Sequence, residues 1–227
     1  MKFRPIKLVT APLQIAWRSQ EIARILYLHG FAKPLASLGI EVGRRGARWV
    51  SGADPSRTGF NEVLGRDLAG VLAALGPTFI KLGQVLASRP DWIGESLAES
   101  LKVLFDRVPE VPFRKLKKEL EKELGKSVVR KRFRSIDPHP LGSASLAQTH
   151  QAELDDGTQV ILKIQKPGVD KQVEVDLAIL EGFARSAAIL FPQLDLLSAF
   201  REFKNETLRE LNYRFEATNI DRFRRNY

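Results

Sequence analysis

The sequence predicts an α+β protein in which helices precede a small antiparallel sheet that is followed by two more helices. Three observations carry that expectation. Apolar residues recur at helical spacing over about residues 60–124. Two short alternating segments then flank Asp155-Asp156-Gly157-Thr158, a turn whose Asp and Gly tolerate positive φ. From Asp170 onward helical spacing returns. Residues 1–58 read as an N-terminal helical extension and linker, 59–126 as a helical region, and 127–227 as the sheet-bearing domain.

In the extension, Ile15, Ile22, Ile25 and Leu26 give a helix over Ile15 to Leu28, which breaks at Gly30 and Pro34. Gly52 to Gly59 is a linker, with a boundary near residue 58. Phe60 to Leu75 is the next helix, ended by Gly76-Pro77. Pro77 suits the first turn of its successor, where a missing N–H costs nothing. A helix over Ile93 to Phe105 and a strongly charged one over Pro112 to Leu124 follow, the latter stopped by Gly125. Strands are expected over 128–166. Lys166-Pro167-Gly168 leads the chain out of the sheet, Asp170 is placed to cap a helix to Leu190, and Pro192 breaks it. A single last helix runs from about Asp195 to Phe223.

Composition removes several functions. The chain has 227 residues, of which 44% are hydrophobic, enough for a buried core. It has no cysteine, hence no disulfide framework and no thiolate metal site or nucleophile. His29, His139 and His150 lack zinc-site spacing. The net charge of +9 gathers at Arg114 to Lys118, Lys126 to Arg134 and Arg222 to Arg225. Such a surface suits nucleotides or anionic headgroups, or is simply a solvated face. These runs lack the interleaved aromatics of a nucleic-acid surface. No apolar run is long enough for a membrane helix, and the N-terminus lacks the continuous apolar core of a secretory signal.

The chemistry concentrates in Pro140 to Lys163. A loop of small residues, Gly142, Ser143, Ala144 and Ser145, lets backbone N–H groups approach a phosphate closely, and the serines add hydroxyls. The hairpin after it ends on Lys163, behind Val160-Ile161-Leu162. A lysine closing an apolar strand is costly to bury unless an anion meets it; otherwise it points to solvent. Loop, hairpin and lysine together have the form of a kinase-type phosphate site. Glu210 and Glu216, on one helix, would point about 120° apart and so serve two different lysines, or lie on a solvated face. Lys81 and Gln84 share a helical face, and Gly83 between them implies close approach of a backbone or ligand, or an ordinary packing contact.

At these residues the chain resembles the UbiB/AarF family of atypical, protein-kinase-like kinases linked to ubiquinone biosynthesis. GPTFIKLGQVLASRPD is similar to its K-x-G-Q signature, PLGSASLAQTH to its alanine-rich loop, VILKIQKPGV to its nucleotide-lysine strand and ELNYRFEATN to its E-x-D-x-x-x-E helix. The resemblance implies a kinase-like N-lobe over 127–227, preceded by a helical K-x-G-Q region. It implies that residues 142–145 cover the phosphates of ATP or ADP, and that Lys163 contacts them and pairs with Glu216, with Gln84 nearby. Lys81 would project into the nucleotide site toward Glu210. The extension would occupy a protein substrate's place, favouring ATPase or small-lipid chemistry over protein phosphorylation.

The chain departs from the family pattern at Asn212, where the family has aspartate, and at Gly142, where it has alanine. No histidine-aspartate catalytic loop, metal-binding Asn or D-F-G occurs, and no C-terminal membrane helices. The expectation is therefore a truncated N-lobe with no C-lobe, with no catalytic residue of its own beyond the supporting Lys81, Gln84 and Glu210. It would have no metal ligands for the Mg²⁺ of full-length relatives and no effective phosphoryl transfer alone. Expected partners are a nucleotide, a separate C-lobe or lipid-biosynthesis proteins, and an anionic membrane met peripherally, but no nucleic acid. The expected location is the cytoplasm or the periphery of the inner membrane. The rival reading is a non-enzymatic, nucleotide- or lipid-responsive regulatory module.

Overall fold

A computed structural model describes residues 12–29, 60–106 and 108–226. The linker expected over Gly52 to Gly59, the boundary near 58 and the break at Gly30 and Pro34 lie outside the described residues. The described residues divide into two compact units, one of residues 12–29, 60–106 and 175–182, the other of 108–174 and 183–226.

The helical unit holds α1 (Pro12–Leu28), α2 (Phe60–Leu75), α3 (Pro77–Ala87), α4 (Pro90–Ile93), α5 (Glu95–Leu101) and α6 (Val103–Asp106). Gly76, at φ +96°, ends α2, and Pro77 opens α3 as the sequence predicts. The core joins Val71, Leu72 and Leu75 to Phe79, Ile80, Leu101 and Leu104. The single helix expected over Ile93 to Phe105 is instead split. Gly94 takes φ +83°, which a right-handed helix cannot continue through, so α4 stops and α5 restarts.

α1 is fastened by charge. Arg18, 7% exposed, donates from Nε to Asp176 Oδ1 at 2.7 Å and from Nη2 to the Leu75 carbonyl at 2.5 Å. Thr78 donates its hydroxyl to Asp176 Oδ2 at 2.7 Å. Burial pushes the Asp176 carboxyl above its ordinary range, against the hydrogen bonds from Arg18 and Thr78. Nothing in the apolar periodicity of α1 announces this network.

The second unit begins with α7 (Phe113–Leu124) and α8 (Lys126–Arg132), then β1 (Phe133–Ser143), β2 (Ala147–Leu154) and β3 (Gln159–Gln165), an antiparallel sheet in that order. α8 corrects the expectation of strands from 128. Val128 and Val129 favour strand locally, but Val129 is only 4% exposed, and its burial on a helical turn overrides propensity. Arg130, Lys131 and Arg132 at the C-terminal turn also suit the helix dipole. β1 is an edge strand with repeated register shifts, in keeping with Pro138 and Pro140, which cannot donate to a ladder. The β2–β3 turn is the one expected: Gly157 sits at φ +87° and Asp156 accepts from the Thr158 N–H at 2.9 Å.

α9 (Val169–Leu190) follows; its residues 175–182 belong to the helical unit. Gly168, at φ +72°, takes the N-cap position expected of Asp170, which lies in the first turn instead. Asp195 caps α10 (Leu196–Glu210), accepting from the Ser198 N–H at 3.2 Å. The single last helix is not observed. Asn212 accepts from the Arg214 N–H at 3.2 Å and starts α11 (Tyr213–Asn226). Glu210 and Glu216 therefore stand on different helices, and the 120° relation between them does not hold. The architecture is nonetheless the α+β one expected, mostly helical with one small antiparallel sheet. Among the described residues no helix is long and apolar enough to cross a membrane.

Candidate functional site

The β2–β3 register separates two faces. Gln148 pairs with Ile164, His150 with Leu162 and Ala152 with Val160, while Thr149 pairs with Lys163 and Gln151 with Ile161. Strand alternation then sends the first set to one side and the second to the other. Gln148, His150, Ala152 and Ile164 are buried, and Lys163 is half-buried on the opposite face.

The buried face is held by hydrogen bonds. Gln148 accepts from the Val111 N–H at 2.8 Å and donates to the Val111 carbonyl at 3.3 Å, which lays residues 108–112 along the sheet. His150 Nδ1 lies 2.8 Å from the Asp137 carbonyl, and Gln148 Nε2 lies 3.1 Å from His150 Nε2. A carbonyl only accepts, so Nδ1 carries the proton and Nε2 accepts. With no exposure and the Phe113 ring tilted against it at 5.1 Å, His150 is a packing residue.

Lys163 carries the open face. Its Nζ donates to Glu216 Oε2 at 2.6 Å and lies 5.3 Å from the centre of the Tyr213 ring. Tyr213 and Glu216, three apart on α11, present one face of that helix. The pair joins two positions 53 residues apart and brings together the lysine and glutamate named from the sequence. Burial, with the negative charges of Glu216 and Glu210, keeps the Tyr213 phenol well above its usual range, so it stays neutral.

The small-residue loop is partly strand. Gly142 and Ser143 end β1, and Ala144 to Leu146 make the turn into β2. Gly142 pairs with Thr149, whose hydroxyl donates to the Gly142 carbonyl at 3.2 Å, so Gly142, Thr149 and Lys163 follow one another across the sheet. Gly142 and Ala144 are exposed, Ser143 donates to the Pro109 carbonyl at 3.2 Å, and Ser145 is 2% exposed. The same Pro109 carbonyl takes a bond from Lys166 Nζ at 2.9 Å. Burial pushes the Lys166 ammonium down to about 8, opposed by the charge of Glu110.

Lys81 and Gln84 lie half-buried on α3 in the helical unit, where Gln84 donates to the Leu104 carbonyl at 2.9 Å. A Cβ on Gly83 would sit 2.3 Å from Leu104 Cδ1 and 2.9 Å from Leu72 Cδ1, so this glycine is required by side-chain packing. Glu210 is the last residue of α10. Among the described residues no three His, Asp or Glu side chains gather as an all-protein metal site needs.

Sequence reasoning did not single out Tyr213 or Lys166. For Tyr213 the signal was present, an aromatic residue one helical turn before Glu216. For Lys166 it was the K-x-x-K spacing that runs from Lys163 out of the end of β3, without any indication that the second lysine would be buried.

The model of the ABC1 atypical kinase-like domain matches residues 103–227, which include the hairpin, Lys163 and Glu216. An uncharacterized protein of Mycobacterium tuberculosis H37Rv is 35% identical over 192 residues, 84% of this chain and 39% of that protein. The probable protein kinase UbiB of Aeromonas hydrophila is 35% identical over 188 residues, 81% of this chain and 33% of its own. Among solved structures, the Rv3197–erythromycin complex from M. tuberculosis is 35% identical, covering 65% of this chain and 37% of that one, at a TM-score of 0.47. The chain thus spans 39% and 33% of these two curated relatives. With more than half of its residues matched, sheet and glutamate-bearing helix included, the chain belongs to the ABC1/UbiB family of atypical kinases.

Proposed function

We propose that this chain binds ATP or ADP on the open face of its sheet, as the nucleotide-binding portion of an ABC1-type kinase or ATPase. The observation that carries the reading is the 2.6 Å pair between Lys163 and Glu216. In kinases a strand lysine held by a helix glutamate meets the phosphates, where its charge offsets theirs. Gly142 and Ala144, exposed at the turn, leave room for phosphate oxygens near the backbone. Lys163 lies across Thr149 from Gly142 in the sheet. The part of Lys81, Gln84 and Glu210 is proposed from the family pattern alone. The resemblance to UbiB members extends the proposal to small-lipid chemistry in ubiquinone biosynthesis.

A ligand that binds only the folded chain raises its melting temperature in proportion to RT ln(1 + [L]/Kd). ADP and ATP at millimolar concentration are expected to raise the midpoint of the wild-type chain, and Lys163→Ala to remove most of that rise. Equal shifts in both proteins would place the nucleotide elsewhere.

A further inference from the structure

We propose that Tyr213 is a positioning residue for Lys163: its ring face carries the ammonium and holds it in line with Glu216, so that nucleotide affinity depends on the ring and not on the hydroxyl. The inference rests on the reading of Lys163 as a phosphate ligand. Lys163 Nζ stands 5.3 Å from the ring centre, within cation–π range. One turn of α11 therefore offers a single ammonium both a carboxylate and an aromatic face.

The ion pair alone is a loose restraint. The Glu216 side chain is 47% exposed, and an exposed pair between two long side chains samples many rotamers. Tyr213 is fixed more firmly, with its hydroxyl oxygen fully buried. Among the described residues that hydroxyl meets no hydrogen-bond partner, so no bond found there explains the residue. Its phenol is neutral, since burial and the charges of Glu216 and Glu210 oppose ionisation. What reaches Lys163 is thus the ring's π face. A lysine ordered before the ligand arrives loses less freedom on binding, which raises affinity.

The test uses the full chain with ADP as the probe, titrated calorimetrically. In parallel, without nucleotide, the rate of Lys163 acylation by an N-hydroxysuccinimide ester is followed by mass spectrometry. Tyr213→Phe keeps the ring and removes the orphan hydroxyl. It is expected to bind ADP within about twofold of wild type and to melt at a higher temperature. Tyr213→Leu and Tyr213→Met remove the ring. They are expected to bind ADP about two- to tenfold more weakly, with faster acylation of Lys163. Ring-free variants that match wild type in affinity and acylation overturn the proposal, as does Tyr213→Phe losing as much affinity as they do. If wild type binds no ADP, the nucleotide reading fails on its own, and the acylation rates still decide the role of Tyr213. Should one aliphatic variant fail to melt cooperatively, the other and Tyr213→Phe carry the comparison.

Discussion

Lys166 shows how one buried charge sets a pH dependence. It is 7% exposed, and its ammonium donates to the Pro109 carbonyl, with burial lowering its pKa to about 8. An unfolded lysine titrates near 10.5. Between those values the unfolded chain binds more protons than the folded one, so stability rises with pH across that window. The contribution of Lys166 is unfavourable below about pH 8 and is relieved as pH climbs toward 10.5. Melting measured from pH 7.5 to 10 in wild type and Lys166→Met checks this. Wild type is expected to gain relative to the variant as pH rises; parallel curves would remove Lys166 from the account. At the same scale, Arg18 and Asp176 form a buried pair of the kind that costs about 3–5 kcal/mol when one partner is removed.

At the scale of elements, the β1–β2–β3 sheet holds two glycines that differ in kind. Gly157 sits in the hairpin turn at φ +87° with open space around it, so a methyl group there meets only backbone strain. Gly142 has ordinary backbone angles, and a Cβ would rest 3.6 Å from Thr149 Oγ1, a normal contact. Gly157→Ala is therefore expected to destabilise the chain by about 1–2 kcal/mol. Gly142→Ala is expected to stabilise it by about 0.4–1 kcal/mol by restricting the unfolded chain. Urea denaturation distinguishes them, and a loss at both sites would contradict the backbone assigned to β1. These elements also divide what sequence reveals from what it hides. The hairpin was legible because Asp155 to Thr158 and the apolar run before Lys163 are local signals. The break at Leu211 and Asn212 was not, because apolar periodicity runs through it and only the Asn212 bond to the Arg214 N–H marks a new start. The strand expected from residue 128 overlaps the end of α8, where Val128 and Val129 favour strand locally but Val129 is buried on the helix.

At the scale of the whole molecule, the candidate site depends on contacts between distant parts of the chain. Lys163 and Glu216 are 53 positions apart, and no periodicity links them; the resemblance of two separate blocks to one family did. Tyr213 escaped because its contact with Lys163 depends on where α11 begins. Arg18 escaped because a lone arginine on an amphipathic helix reads as surface until Asp176 is found beside it. The central claim is that Lys163 meets nucleotide phosphate. Its most direct measurement is covalent labelling of the full chain with an acyl-phosphate derivative of ATP, in which an amine beside the phosphates takes the acyl group and releases ATP. The account predicts acylation concentrated on Lys163, suppressed by excess ADP or ATP and slowed in Tyr213→Leu, where the lysine is less well held beside the phosphates. Label spread over the surface lysines and indifferent to competing nucleotide would contradict it.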